Sequence, residues 1–490
     1  MSQRTGICVS LTESTVDGML AAMRKAPPEV DLFELRLDYL QELDLARLLS
    51  GRTRPVIVTN RPVRQGGRWA GSEQLRIWFL RQAVQLGADY VDAEDDSVAE
   101  LGPKGSSRLI ISHHDLDRTP QDLRPLYRRL AGLGADIVKV VTTARSIEDT
   151  LAVFRMLGSA RMPAIGLAMG EAGVITRILA PRYGAFLTFA SLERGKESAP
   201  GQLTVQDLVH MYRFRAIGPR TALYGVIARP VAHSLSPLVH NTAFAQNSLD
   251  AVYLPLLVDD VKRFIDVFSE FGFEGFSVTI PHKESALRCA SEVEPVAAAI
   301  GAVNTLVRRS GGWFGANTDW IAVVRSLEEA LAPEKLAGKR FLLVGAGGAA
   351  RAMAFGLRQR GCDILIANRT YERGVVLAQS VGGAAIHLED VSKAEADILL
   401  NATSVGMYPN TEVSPVPREA LRPGMVVFDS VYNPLDSLLL RQAREAGCRV
   451  VSGLEMFILQ AAEQFRLWTG REAPVALMRD VVLQALRART

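Results

Sequence analysis

Cysteine is scarce in this chain: four in 490 residues, Cys8, Cys289, Cys362 and Cys448, spaced too widely for a CxxC pair or a zinc site. That excludes a disulfide-stapled secreted scaffold, and the four read as reduced core residues of a cytosolic protein. Net charge is equally small. Against 53 acidic residues stand 56 basic ones, a balance of +3 without Lys/Arg runs, which leaves no electrostatic footprint for nucleic acid or an anionic membrane. No apolar run approaches the ~18 residues that a bilayer span needs. The N-terminal stretch MSQRTGICVSLTES lacks the basic-then-apolar layout of a signal peptide and leads straight into a strand-like run. No ligand cluster with metal spacing occurs either, so no metal is expected.

What is present is apolar content. With 48% hydrophobic and 22% charged residues, the chain is globular rather than disordered. At ~100–200 residues per domain, its length predicts two to four domains, each with its own core. A cytoplasmic enzyme acting on small molecules is the class left standing, and the sequence carries no signal for an oligomeric state.

Eight short β-branched or apolar runs punctuate the first 210 residues: ICVSL (7–11), VDLFELR (30–36), PVIVTN (55–60), ADYVDAE (88–94), RLIISH (108–113), ADIVKVV (135–141), PAIGLAM (163–169) and AFLTFAS (185–191). Amphipathic stretches of helical length, such as QLRIWFLRQAVQLG and SIEDTLAVFRMLG, separate most of them. Strand and helix alternating in this way predict parallel βαβ units closed into a (β/α)8 barrel. LGADYVD and LGADIVK read as one unit repeated: helix end, glycine cap, strand. Only the gap between the fourth and fifth runs is short for a helix. In such a barrel the chemistry lies at the C-terminal strand ends. Those ends carry Glu34, Arg36, Arg61, Asp92, Glu94, His113, His114 and Lys139. A lysine inside ADIVKVV is costly to bury without a partner or a purpose. Desolvation disfavours its ammonium form and leaves an amine suited to a Schiff base; the competing reading is a structural ion pair with a nearby acid.

FELRLD, SHHD followed by TP, DIVK, GVITR and ESAPGQ, in that order, resemble the signature stretches of type I 3-dehydroquinate dehydratases. The resemblance covers roughly residues 5–210 and implies a barrel that dehydrates 3-dehydroquinate to 3-dehydroshikimate through a lysine imine. Carried over, Lys139 forms the imine with the C3 ketone. His114 takes the C2 proton and later returns a proton to the departing C1 hydroxyl. His113 is the extra imidazole, expected to point the other way along the strand. Glu34, Arg36, Arg61, Arg177, Ser198 and Gln202 match positions that bind substrate hydroxyls and carboxylate. One residue departs from the pattern: in RPVRQGG, Gln65 stands where the family has Glu. A glutamate there would orient the histidine and favour its protonated form, whereas an amide can hydrogen-bond but adds no charge.

After a short connector at 211–221 the pattern changes. RFLLVGAGGAAR (340–351) runs a strand into Gly345, Ala346, Gly347, Gly348 and Ala349 and then a helix, the context that a dinucleotide fingerprint requires. The following strand ends in Asn368, Arg369 and Thr370, with Arg373 beyond. An NAD site would place an acid there; two arginines suit a 2′-phosphate, so NADP is the expected cofactor, against the alternative of a solvated surface turn.

Upstream, VAHSLSPLVHN, FEGFSVTIPHKE, GAVNT and GANTDW, and downstream NATSVGM, VYNP and SGLEMFILQAAEQF, resemble shikimate dehydrogenases over roughly 222–490. The resemblance implies that Ser234 and Ser236 bind the substrate carboxylate and that Thr279, Asn304, Tyr432 and Gln460 surround the ring. Lys283 and Asp319 match the catalytic pair, while Thr403, Ser404, Met407, Gly453 and Met456 would lie along the cofactor. The competing readings are a solvated first-turn lysine and a helix N-cap aspartate. The expected layout is a barrel at 1–215, a substrate-binding α/β domain at 222–330 completed by 455–490, and a Rossmann NADP domain at 331–454. Fusion in this order resembles the bifunctional dehydratase–dehydrogenase family of plants and some bacteria. It implies 3-dehydroquinate and 3-dehydroshikimate or shikimate as small-molecule partners. The rival readings are a dehydrogenase with a barrel impaired by Gln65, a metabolite sensor built on dead enzyme domains, and a preference for quinate.

Overall fold

The computed structural model describes residues 4–232 and 234–487. The first three residues of the N-terminal stretch, His233 of VAHSLSPLVHN and the last three residues of the final segment lie outside the described residues. The chain divides into two compact units. The first is Met1–Leu223 with Arg229–His233 and Asp250–Asp260; the second is Tyr224–Ala228, Ser234–Leu249 and Val261–Thr490.

In the first unit, strands β1 (Gly6–Leu11), β2 (Leu32–Arg36), β3 (Val56–Thr59), β4 (Tyr90–Glu94), β5 (Arg108–His114), β6 (Ile137–Thr143), β7 (Ala164–Met169) and β8 (Leu187–Ser191) fall on the eight expected runs. Between them come helices α1 (Val16–Lys25), α2 (Leu45–Ser50), α3 (Glu73–Gln85), α4 (Val98–Leu101), α5 (Arg124–Gly132), α6 (Thr150–Gly158) and α7 (Val174–Ile178). The short fourth gap holds α4, a single turn. All neighbouring strands pair in parallel, in the order β7-β6-β5-β4-β3-β2-β1-β8, with a short β9 (Leu203–Thr204) beside β8. The Phe186 amide, next to β8, donates to Ala164 O at 2.7 Å, bringing β8 back to β7. The repeated LGAD turns behave alike: Gly87 and Gly134 take φ of +75° and +87°, a conformation that β-carbons resist. Helices are capped where the sequence offers a hydroxyl, as when Thr15 Oγ1 accepts from Gly18 N at the start of α1.

Inside the barrel the side chains form layers, because residues two apart share a strand face. Cys8, Leu32, Ile57, Tyr90, Ile110, Ile137, Ile165 and Leu187 belong to one apolar cluster, with one residue from each strand. Two residues further along, the strands supply Ser10, Glu34, Thr59, Asp92, Ser112, Lys139, Leu167 and Phe189. The apolar plug therefore underlies a floor that is polar on β1 to β6 and apolar at Leu167 and Phe189, which belong to the same cluster.

The second part of the chain continues with β10 (Ala222–Ala228), α8 (Ser236–Gln246), β11 (Ala251–Leu257), α9 (Val261–Val267), β12 (Phe273–Val278), α10 (Lys283–Cys289), β13 (Glu292–Val293), α11 (Pro295–Ile300), β14 (Thr305–Arg309), β15 (Gly312–Ala316) and α12 (Asp319–Leu331). Its sheet runs β11-β10-β12-β14-β15-β13. A second sheet follows from β16 (Arg340–Val344), α13 (Gly348–Gln359), β17 (Asp363–Asn368), α14 (Tyr371–Val381), β18 (Ala384–His387), β19 (Ile398–Asn401), β20 (Val426–Asp429), α15 (Leu438–Glu445) and β21 (Arg449–Ser452). This sheet is parallel in the order β18-β17-β16-β19-β20-β21, the doubly wound arrangement with its switch point between β16 and β19. Helices α16 (Gly453–Thr469) and α17 (Val475–Arg487) end the described chain. α16 returns to the first sheet, where Trp468 Nε1 donates to Leu306 O at 3.0 Å and Gln464 Nε2 to Asn304 O at 3.2 Å. Cys8, Cys362 and Cys448 are buried as expected, but Cys289, at the end of α10, is only half-buried.

Candidate active sites

Lys139 lies on the polar floor of the barrel. Its Nζ is 2.9 Å from Asp92 Oδ2, 3.2 Å from Glu34 Oε1 and 4.4 Å from the Phe189 ring centroid. Glu34 accepts further from Ser10 Oγ at 2.7 Å and Thr59 Oγ1 at 3.0 Å. Asp92 accepts from Ser112 Oγ at 2.6 Å. Each hydroxyl satisfies a carboxylate lone pair that burial has stripped of water. The layer above adds Arg36, Arg61, Glu94 and His114, again two residues along their strands or strand ends. Arg61 donates to Asp92 at 2.7 Å, to Glu94 at 2.6 Å and to Ser112 at 2.7 Å. Arg36 is held bidentate by Asp38 at 2.8 and 2.6 Å. Two of the three predicted substrate-binding arginines, Arg36 and Arg61, thus come with carboxylates of their own.

These cations and anions set one another's protonation. Burial alone would raise Glu34, but the Lys139 and Arg36 charges outweigh it and hold the carboxyl below its ordinary range. Asp92 is likewise buried, yet Arg61 and Lys139 keep it far below that range. His114 moves the other way from an ordinary imidazole: burial, then the Arg61 and Lys139 charges, push it well below 6.5, so it stands neutral as a base.

Gln65 decides which His114 nitrogen is available. Its Oε1 accepts from the His114 backbone amide at 3.2 Å and lies 3.1 Å from Nδ1. A backbone N–H can only donate, which fixes that atom as the amide oxygen; Nδ1 therefore carries the hydrogen and Nε2 keeps its lone pair. Gln65 supplies the orienting contact of the expected glutamate without its charge. His113 points to the other side, as strand alternation requires, with Nδ1 3.1 Å from Asp95, which also takes Arg129 of α5 at 2.6 Å.

Arg177 is different from the other arginines. It is 2% exposed, has no salt bridge among the described residues, and its Nε has no hydrogen-bond partner. Burial alone pulls it down to about 10. Gln202 Nε2 and Ser191 Oγ are also buried without partners, while Gln202 Oε1 accepts from the Ser198 amide at 2.7 Å. The turn that precedes α7, which carries Arg177, and the loop after β8, which carries Ser198 and Gln202, are tied together by Gly170 N donating to Pro200 O at 3.1 Å. Buried donors left unpaired at a strand-end loop await an anionic or hydroxylated ligand.

In the second unit, Lys283 opens α10 and Asp319 opens α12. Their Nζ and Oδ2 are 2.5 Å apart. Asn304 Nδ2 donates to the other Asp319 oxygen at 2.8 Å, and its own oxygen accepts from the Thr318 amide at 2.8 Å and Thr305 Oγ1 at 2.8 Å. Asn317 Oδ1 accepts from Asp319 N at 3.0 Å. Thr318 Oγ1 donates to Gln460 O at 3.1 Å. The predicted Lys283, Asn304 and Asp319 are thereby joined in one network, which Gln460 meets through its backbone oxygen while its side-chain Nε2 donates to Phe457 O at 2.8 Å. Ser234 Oγ accepts from Ser236 N at 3.2 Å, Thr279 follows directly on β12, and Tyr432 stacks on Phe457 at 4.3 Å between centroids.

At the switch point, Gly345 has φ +119°, and a β-carbon there would meet Thr403 Cγ2 at 3.1 Å. A β-carbon on Gly347 would meet nothing within 4 Å, while one on Gly348 would lie 3.1 Å from Lys283 Cδ. Open space over Gly347 at a helix N-terminus fits a pyrophosphate. No acid ends β17; Arg369 and Arg373 are exposed and carry no salt bridge among the described residues, which fits a 2′-phosphate. Thr403 is fixed by Asn401 Oδ1, accepting from its amide at 2.9 Å and its hydroxyl at 2.7 Å, and Asn401 in turn donates to Asp429 at 2.8 Å. Ser404 and Met407 are exposed, Gly453 starts α16, and Met456 is buried in the apolar core beside this sheet.

Sequence reasoning passed over the supporting polar residues: Ser10, Thr59, Ser112 and Arg76 in the barrel, and Asn317, Thr318, Asn401 and Asp429 beyond it. For the first three the signal was present, since each lies two residues past an apolar plug residue of its strand.

Comparison with known proteins gives matches along the chain. Residues 7–219 match type I 3-dehydroquinase, 226–306 the shikimate dehydrogenase substrate binding domain, 327–429 shikimate/quinate 5-dehydrogenase and 453–483 the shikimate 5′-dehydrogenase C-terminal domain. A bifunctional 3-dehydroquinate dehydratase/shikimate dehydrogenase of Arabidopsis thaliana, chloroplastic by name, is 43% identical over 96% of this chain and 83% of its own. A shikimate dehydrogenase (NADP(+)) of Moorella thermoacetica is 47% identical over 55% of this chain and 95% of its own. Among solved structures, the Thermus thermophilus shikimate 5-dehydrogenase in complex with NADP(H) and shikimate aligns with a TM-score of 0.50 and 37% identity, covering 54% of this chain and 100% of that one.

Proposed function

The chain belongs to the family of bifunctional 3-dehydroquinate dehydratase/shikimate dehydrogenases, and from that premise we propose how its side chains divide the two reactions. The protein dehydrates 3-dehydroquinate to 3-dehydroshikimate and reduces that product to shikimate with NADPH. The observation that carries the residue assignment is Lys139, buried on the barrel floor between two carboxylates and under a neutral histidine.

In the barrel, Lys139 attacks the C3 ketone and water leaves, forming the imine. The iminium draws electrons from the adjacent C2–H bond, and His114 Nε2 takes that proton. The same imidazole then protonates the C1 hydroxyl as it departs, and hydrolysis returns Lys139. Arg177, Ser198 and Gln202 hold the substrate carboxylate and hydroxyls, which supplies the partners that their buried donors lack. Glu34, Arg36 and Arg61 complete the enclosure.

In the dehydrogenase, bound NADPH supplies the hydride. Lys283, held by Asp319, gives a proton to the oxygen that becomes alkoxide and stabilises its charge. Ser234 and Ser236 bind the carboxylate, and Thr279, Asn304, Tyr432 and Gln460 orient the ring. Gly345, Ala346, Gly347, Gly348 and Ala349 cradle the pyrophosphate; Asn368, Arg369, Thr370 and Arg373 hold the 2′-phosphate ribose. Thr403, Ser404, Met407, Gly453 and Met456 lie along the cofactor. The division into a barrel at 1–215, a substrate domain at 222–330 with 455–490, and an NADP domain at 331–454 follows from these assignments. The reactions take place in the cytoplasm by this reading, which rests on the scattered cysteines; no described helix is long and apolar enough to cross a membrane.

One experiment tests the assignment. Incubation with 3-dehydroquinate and borohydride leaves a reduced adduct on Lys139, located by peptide mass spectrometry. An adduct on another lysine, or none, overturns it.

A further inference from the structure

Arg76 is a charged side chain with no exposure at all, on the inward face of a barrel helix, and the reaction described above makes no use of it. It sits on α3 beside Ile77, Leu80 and Ala83, where the helix would ordinarily bury an apolar residue. Its donors are all engaged inside the protein. NH1 bonds Glu94 Oε2 at 2.5 Å and Asn60 O at 2.9 Å; NH2 bonds Glu73 Oε1 at 2.6 Å and Ser97 Oγ at 2.7 Å; Nε bonds Glu73 Oε2 at 3.0 Å.

From Arg76 a line of alternating charges leads to the imine-forming lysine. Glu94, itself without exposure, gives one oxygen to Arg76 and the other to Arg61 at 2.6 Å. Arg61 passes to Asp92 at 2.7 Å, and Asp92 to Lys139 at 2.9 Å. Buried ion pairs are screened weakly, so removing one member leaves its neighbour uncompensated and the imbalance is felt along the line.

We propose that Arg76 is a positioning residue for the dehydratase: by neutralising Glu94 it sets the charge balance against which Lys139 releases its proton before attacking the ketone. The inference rests on the assignment of Lys139 as the imine-forming residue. The groups that face Lys139 are Asp92 and Glu34 in direct contact, Cys8 on β1, Arg36 past the end of the Glu34 strand face, Arg61 through Asp92, and His114 on β5. Without Arg76, Glu94 is left with a negative charge that Arg61 alone answers. Lys139 is then held more firmly as the ammonium, and imine formation needs a higher pH. Without the Glu94 charge, the excess is positive and the effect has the opposite sign.

The test is borohydride trapping of Lys139 by 3-dehydroquinate in the full-length chain, in brief incubations across a pH series. R76M moves the midpoint of the pH–trapping profile up by about one unit, and so lowers the adduct roughly tenfold on the acidic limb, with the profiles converging at high pH. R76K, which keeps the charge, leaves the midpoint in place. E94Q moves it down. NADPH oxidation with added 3-dehydroshikimate, read on the same samples, monitors the other half of the chain. If R76M does not accumulate, the opposite sign required of E94Q and the unmoved midpoint of R76K still decide the matter. Equal loss of adduct at every pH means a merely structural role and overturns the proposal, as does a shift of R76M and E94Q in the same direction. No adduct in the unaltered chain at any pH overturns the Lys139 assignment, and this inference with it.

Discussion

Both halves of the molecule are built around a lysine, but the surroundings of the two lysines differ in kind. Lys139 faces two carboxylates: Glu34, held otherwise by the hydroxyls of Ser10 and Thr59, and Asp92, which is linked to further buried charge, Asp92 to Arg61, Arg61 to Glu94, Glu94 to Arg76. Lys283 has one carboxylate, Asp319, whose second oxygen is held by the neutral amide of Asn304. The roles proposed for the two lysines account for the contrast. A lysine that becomes a covalent catalyst must lose its proton, attack, and carry a positive imine, so its pocket has to answer a changing charge with fixed ones. A lysine that hands over one proton needs only an acid to hold it, and neutral hydrogen bonds suffice to orient that acid.

The largest effect expected from this contrast is on Lys139 itself. K139A removes the covalent route and lowers dehydratase turnover by about 10⁴-fold or more, measured as appearance of conjugated-enone absorbance from 3-dehydroquinate. NADPH oxidation with 3-dehydroshikimate stays within about twofold, since the second unit keeps its own ion pair. A comparable fall in both activities would mean that the two halves are not independent, and the comparison would fail. K283A is the mirror experiment. Loss of a single proton donor costs about 10²- to 10⁴-fold in dehydrogenase kcat, and enone formation by the barrel continues.

How much of this contrast could be read from the chain alone depended on period. The barrel strands announced themselves because parallel strands buried on both faces are continuous apolar runs. Lys139 was conspicuous as the charge inside one of them. The residues that hold it were less so: Ser10, Thr59 and Ser112 are ordinary strand residues until the apolar plug of Cys8, Ile57 and Ile110 is known, after which a step of two finds each of them. Arg76 was hidden further, inside a helix whose register on the barrel, not its composition, decides which side faces inward. In the second half, the glycine turn and its arginines were legible because backbone conformation demands particular residues there. Asn317, Thr318 and Asp429 were not, because an amide or hydroxyl that supports another side chain looks the same in sequence as one in solvent.

Gln65 gives a sharper and smaller test. His114 is held well below 6.5 by burial and by the Arg61 and Lys139 charges, so its base form persists as the pH falls through neutrality. In Q65E a carboxylate replaces the amide oxygen beside Nδ1 and favours the imidazolium, which raises the histidine toward its ordinary value. The neutral base is then lost at a higher pH, and the acid limb of dehydratase kcat/KM moves up by about one unit. The dehydrogenase profile stays in place. An unmoved acid limb would show that His114 is not the base whose titration the barrel reports.

The smallest expected effect separates two adjacent glycines and asks whether steric fit does for Lys283 what charge does for Lys139. A β-carbon at Gly347 meets nothing within 4 Å, and one at Gly348 meets Lys283 Cδ at 3.1 Å and Cβ at 3.5 Å. Gly347 has φ −85°, which any residue adopts, so G347A folds without strain and places its methyl in the proposed pyrophosphate site. It raises KM for NADPH by about tenfold and leaves kcat at saturation nearly unchanged, the signature of lost uniform binding. G348A instead pushes the lysine stem by a few tenths of an ångström. That displacement lowers kcat by about threefold to tenfold, well short of the ~100-fold that a full ångström costs, with little change in KM. Measurement of both constants at saturating 3-dehydroshikimate distinguishes the two. If G348A changes KM alone, its contact with Lys283 has no part in proton transfer, and the dehydrogenase lysine is positioned by Asp319 without help from the nucleotide loop. If kcat falls as expected, the loop that binds the cofactor also seats the proton donor, and the arrival of one reactant is registered at the residue that serves the other.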